Sequence, residues 1–249
     1  MTLVEHLAEF RDRLVRALIG LVLGAAVGYA MFPWLIDLLM QPYCQIPDAF
    51  RASVDGQCRL IAIGALEPFA VRIKTALIVG LFLGGPVIFY QLWRFVTPGL
   101  TTRERRYALP FVVMSQLLFA AGLVFAYLVI PRGLEILLNF GGDAIAPALT
   151  AGQYVSFYLS TSVAFGIVFE LPLILIFLVL ARVVSGSQLR RFRSYALVLN
   201  VVVAAIVTPS TDAITLLFMA GPMALFYEIS IAAAWFIERA RNRGEATAA

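Results

Sequence analysis

The sequence predicts an all-α membrane protein with six transmembrane helices and both termini on the cytoplasmic side. Three observations carry this. Of 249 residues, 61% are hydrophobic and the mean hydropathy is +0.91, where soluble domains sit nearer about 45–50% apolar. The apolar residues fall in six long runs, and the arginines alternate between the gaps.

The runs are Ala17–Ile36, Thr75–Trp93, Tyr107–Ile130 (ended by Pro131), Tyr154–Ala181, Tyr195–Val207 and Ala213–Ile237. Crossing a hydrocarbon core takes roughly 20 helical residues, which the first four supply. With no water to satisfy backbone groups in lipid, helices are the default. The first run is too long for the central region of a cleaved signal and is expected to remain as a membrane helix. The fifth run would span only about 20 Å, and the sixth starts directly after the "TPSTD" turn. Short fifth and sixth helices that stop below the outer surface are expected, with the bilayer thinned around them. The other reading puts the turn in the outer interface.

Residues 1–238 read as one six-helix domain and 239–249 as a polar cytoplasmic tail. Within the domain, residues 1–14 form an amphipathic helix on the membrane surface: Leu3, Leu7, Phe10 and Leu14 recur at helical spacing between charges. Glu9 and Arg13 are four apart, as are Asp12 and Arg16, a spacing common in exposed pairs worth a few tenths of a kcal/mol.

Arg11, Arg13 and Arg16 precede the first run, and Arg94, Arg103, Arg105 and Arg106 lie between the second and third. Arg182, Arg190, Arg191 and Arg193 lie between the fourth and fifth, and Arg239, Arg241 and Arg243 follow the sixth. The opposite face holds only Arg51, Arg59, Arg132, Arg72 and Lys74. The positive-inside rule therefore places the termini in the cytoplasm, and the basic isoelectric point reports topology, not nucleic-acid binding. The first outer loop, residues 37–66, contains the chain's two cysteines, Cys44 and Cys58. A disulfide across a loop of that size is expected on an oxidising face.

Two places resist the bland reading. In "FGIVFELPLIL" (165–175), Glu170 stands alone in an uncharged run, roughly 16 Å from its end at helical rise and so near midplane. A charge there costs about 2.5–3.5 kcal/mol, so Glu170 either faces a wet cavity or is buried, neutral and hydrogen-bonded to another helix. Pro172 removes a helix N–H beside it. In "FYQLWRFVTPGLTTRERR" (89–106), Pro98 and Gly99 break the chain, and Glu104 sits among arginines.

With "HLAEFRDRL" near the start and "TPSTD" before the sixth helix, these motifs occur in one order, from about His6 to Trp235, that resembles the TatC family. That family is the signal-peptide receptor and core subunit of the twin-arginine translocase. The resemblance implies a cup-shaped bundle without cofactor or metal, and single-span partners of the TatA and TatB types. It further implies homo-oligomers in the assembled complex, in a bacterial inner membrane. Twin-arginine signal peptides of folded precursors would bind at the cytoplasmic face to Glu9 and Glu104, with Arg11, Phe95, Pro98, Leu100 and Arg105 around them, and the proton gradient would drive transport. Glu170 matches the family's intramembrane acid, and Pro209 and Asp212 its last outer turn. On that reading Glu170 marks the floor of a concave, water-holding cavity. One departure is Leu216, near where the family usually has a glutamine.

Two adjacent guanidiniums call for two carboxylates, because charge-assisted forked bonds are their natural complement. A proton- or cation-coupled transporter using Glu170 would explain the buried acid but not the loop motif. A membrane hydrolase is disfavoured because the sole histidine, His6, has no nucleophile or metal-ligand cluster beside it.

Overall fold

A computed structural model describes residues 3–45, 53–54, 57–96, 108–139, 149–207 and 213–248. Ten helices and one hairpin are described: α1 (Leu3–Ala30), α2 (Phe32–Cys44), β1 (Ser53–Val54), β2 (Gln57–Cys58), α3 (Glu67–Leu83), α4 (Gly85–Val96), α5 (Ala108–Asn139), α6 (Ala151–Phe169), α7 (Leu171–Leu180), α8 (Gly186–Arg191), α9 (Arg193–Val207) and α10 (Ala213–Ala248). Four helical stretches are long and apolar enough to cross a membrane: Val4–Ala30, Leu109–Asn139, Ala151–Leu180 and Leu216–Arg241. Taken together, the α3–α4 pair, bent by 56°, is also long and apolar enough to cross.

Several boundaries differ from those the runs predict. The first apolar run breaks at Met31, and Pro33 then starts α2 in its first turn, where a missing N–H costs nothing. Helix α2 occupies the first part of what reads as an outer loop. The second run begins eight residues early, at Glu67, and bends at Gly84, whose N–H still reaches Gly80 O at 2.8 Å. The third does not end at Pro131 but continues to Asn139, because Leu134 and Leu138 are buried in the main core. The short fifth helix is present as α9, 15 residues long. The sixth is not short: α10 runs for 36 residues, continuing through the polar segment to Ala248.

Bilayer lipid offers helices no hydrophobic reason to associate, so small residues that admit close backbone contact set the packing. Helix α1 presents Gly20, Gly24 and Gly28 to α3 and α4. A Cβ on Gly24 would lie 2.7 Å from Gly80 O, and one on Gly84 would lie 2.7 Å from Gly20 O. A Cβ on Gly80 would lie 2.6 Å from the backbone of Ala25. Gly122 of α5 meets Gly166 of α6 the same way, at 2.7 Å. At the far end of the α1–α3 seam, the Arg72 guanidinium lies 4.0 Å over the Tyr29 ring. The continuous α6–α7 stretch is the central element, half buried, while α1 leaves most of its surface exposed.

The end opposite the N-terminus is fastened by polar contacts. Cys44 and Cys58 form a disulfide. Glu67, which the sequence does not single out, accepts from Ile63 N at 2.9 Å and from Gly152 N at 2.5 Å, joining the start of α3 to the start of α6. Thr150 and Gln153 form a reciprocal cap on α6, and Ala151 N donates to Ile61 O at 2.8 Å.

Gly80→Val is expected to destabilise the protein by about 1–3 kcal/mol through overpacking. Gly221→Ala, with nothing within 4 Å of the added atom, should be neutral. Thermal unfolding in detergent compares the two. Replacing Cys44 and Cys58 by serine should cost about 3 kcal/mol, the entropy of a loop this size. Denaturant titration of the oxidised parent against the double variant measures it.

Candidate signal-binding site

The charged start of α1 packs against the end of α4. The His6 ring stacks on Phe95 at 4.7 Å, and Phe10 lies 5.5 Å from the same ring. Gly20 against Val87 sets the crossing one turn after another further along. Between the helices runs a groove of about 180 Å³ lined by Phe10, Arg13, Leu14, Ala17, Ile88, Gln91, Leu92 and Phe95. Two of the predicted binding residues, Glu9 and Phe95, are thus at one place.

Glu9 and Arg13 pair as their spacing predicts, but not as an exposed surface bridge: their side chains are only 23% and 13% accessible. Arg13 directs Nε, at 3.0 Å, and Nη2 to the same carboxylate oxygen, Oε1. Glu9 Oε2, Arg13 Nη1 and Gln91 Oε1 are enclosed and lack hydrogen-bond partners among the described residues. Asp12 takes Arg11 at 2.8 Å rather than Arg16, and Arg11 stands in the open. Arg94 donates to the Tyr90 hydroxyl at 2.9 Å. Pro98, Leu100, Glu104 and Arg105 fall outside the described residues, as do Pro209 and Asp212.

Glu170 lies at the junction of α6 and α7, closing the first helix and opening the second. The stretch nevertheless continues as one span, with Pro172 in the first turn of α7. Glu170 is buried, 8% accessible. Ser115 of α5 faces it, and the Ser115 hydroxyl accepts from Trp93 Nε1 of α4 at 2.8 Å. One carboxylate oxygen, Oε1, has no hydrogen-bond partner among the described residues. Trp93 in turn packs on Phe111 at 4.7 Å and on Phe177 at 5.1 Å, so α4, α5 and α7 meet around the acid. Of the two readings the sequence leaves open for Glu170, burial against another helix fits this geometry. The Trp93–Ser115 link escaped the sequence because neither residue type marks a partner at a distance of 22 positions. Leu216 packs against the main core.

Ser115→Ala leaves the Trp93 N–H buried without an acceptor and should cost about 1–3 kcal/mol. A lowered unfolding midpoint, with an unchanged oligomeric profile on size exclusion, would be the result.

A family profile for "Sec-independent protein translocase protein (TatC)" matches residues 5–222. The TatC protein of Frankia casuarinae is 41% identical over 243 residues, covering 96% of this chain and 67% of the relative. That of Carboxydothermus hydrogenoformans is 36% identical over 246 residues, covering 98% and 97%. Two crystal structures of the twin arginine translocase receptor TatC superpose with TM-scores of 0.77 and 0.78. They share 36% and 37% identity and cover 93% and 92% of this chain and 98% and 99% of theirs. These relatives are named for protein translocation rather than solute transport, and the transporter reading of Glu170 is set aside. With the family match running from the docked N-terminal helix well into α10, the chain belongs to the TatC family of multi-pass membrane translocase proteins.

Proposed function

We propose that this chain is the receptor and core subunit of a bacterial twin-arginine translocase. It binds the signal peptides of folded precursors at its cytoplasmic end through Glu9 and Glu104. One observation carries the site: α1 brings Glu9 to the end of α4, and the chain leaves α4 at Val96, one residue past the ring stacked on His6. Val96, the last described residue of α4, is at the same end of the bundle as Glu9, which supports a site shared by Glu9 and the segment that follows. A cargo of two adjacent guanidiniums would meet one acid from each segment, with the apolar groove between α1 and α4 alongside.

The remaining parts of the reading follow from family membership and chemistry. Six spans with cytoplasmic termini satisfy the arginine distribution, α9 being the short crossing. Single-span partners of the TatA and TatB types would dock on helix faces left apolar and exposed, and several copies would assemble together. The sequence contains no nucleotide-binding loop, so the proton gradient is the energy source this reading assigns.

Glu9→Gln or Glu104→Gln should weaken binding of a twin-arginine peptide by at least tenfold, since a hydrogen bond to a charged group is worth about 1.5–3 kcal/mol. Fluorescence anisotropy with the purified chain measures this; parental affinity in both variants would refute the site.

A further inference from the structure

We propose that Arg13 is a tethered competitor for the cargo arginine: it holds Glu9 in the place a signal-peptide guanidinium takes, and cargo binds by displacing it. This rests on the reading of Glu9 as a cargo-binding acid and adds a regulatory contact to it.

The pairing is partly shielded and poorly satisfied. With side-chain accessibilities of 13% and 23%, Arg13 and Glu9 are partly shielded from the salt that weakens fully exposed bridges. Yet both donating nitrogens of Arg13 address a single oxygen, Oε1. A guanidinium and a carboxylate pair best side by side, with two parallel bonds to two oxygens. Here the second oxygen, Oε2, and the third nitrogen, Nη1, are both enclosed and have no hydrogen-bond partner among the described residues, and the same holds for Gln91 Oε1 on α4. Buried polar atoms are normally bonded, so three atoms at this end of α1 and α4 without partners among the described residues fit a site that a further polar group completes.

A helix explains the imperfect geometry. Glu9 and Arg13 are one turn apart on α1, so the approach of Arg13 is fixed by the backbone that carries both. An arginine arriving on a separate peptide has no such tie and can take both oxygens. Arg94 and His6 are the other groups whose charge reaches Glu9. Arg94 is engaged with Tyr90 and His6 is stacked on Phe95, which leaves Arg13 as the cation bonded to the carboxylate itself. Displacing it lowers cargo affinity by a constant factor. For a receptor that must release its cargo, this shortens the bound lifetime.

The test uses the full-length chain in nanodiscs and a fluorescent peptide carrying one Arg-Arg pair. Arg13→Gln should bind that peptide about tenfold more tightly, with slower dissociation. Arg13→Lys keeps the charge but loses the fork, and should also bind more tightly than the parent. In a Glu9→Gln background, Arg13→Gln should give no gain. Unchanged or weaker binding by the Arg13 variants overturns the proposal, because Arg13 would then merely position Glu9. A gain in Arg13→Gln without one in Arg13→Lys overturns it in favour of bare charge repulsion. If Glu9→Gln alone binds like the parent, the reading of the site fails instead. Circular dichroism of each variant, matched to the parent, excludes misfolding as the source of a loss.

Discussion

The contact on which the rest of the structure depends is the glycine seam between α1 and α3. Gly24 and Gly28 of α1 and Gly80 and Gly84 opposite them lie so close to the facing helix that a single added carbon would crowd main-chain atoms, while Gly20 abuts the Val87 side chain. In a medium as apolar as the side chains themselves, such proximity supplies the dispersion energy that burial supplies in water. The seam fixes the rotation and tilt of α1. That tilt carries the charged N-terminal turns over the end of α4, where His6 and Phe10 meet Phe95. Glu9 is thus positioned by a contact formed several turns away, in the apolar part of the same helix.

The opposite end is organised by different means. There the disulfide, the Thr150–Gln153 cap and the Glu67 carboxylate fasten loop to helix. Glu67 does what water would do for the Gly152 N–H in the first turn of α6, and it does so from the start of another helix. Two fastenings of different chemistry, close packing along α1 and polar ties across the far end, leave the central α6–α7 stretch held from both sides. Glu170 sits in that stretch with Ser115 and Trp93 beside it.

Much of this was legible in the residues. The apolar runs locate nearly every long helix, since twenty uncharged residues have few other options, and Tyr154–Ala181 matches the α6–α7 stretch within a few positions. What failed to show was anything depending on the partner across a contact. Pro131 reads as a stop, yet α5 passes through it because burial of Leu134 and Leu138 outweighs one missing bond. The break at Met31 and the bend at Gly84 lie inside apolar runs where Pro33 and Gly84-Gly85-Pro86 mark weak points, but breaker residues alone do not say whether a helix ends, bends or, as at Pro131, continues. The same limit applies at the site. The spacing of Glu9 and Arg13 announces a pair, but only the fold shows that the pair is enclosed against α4. Glu67 looks like an ordinary exposed acid at a helix start, and its tie to Gly152 spans 85 residues.

The seam also has a genetic consequence. A clash between two side chains can be relieved by shrinking the partner, so defects in ordinary cores acquire second-site suppressors. At Gly80 the intruding atom would meet the main chain of Ala25, which no substitution can trim. Lineages that lose this glycine have one local route back, reversion at the same codon, and drift along α1 is therefore confined to the positions facing away from α3.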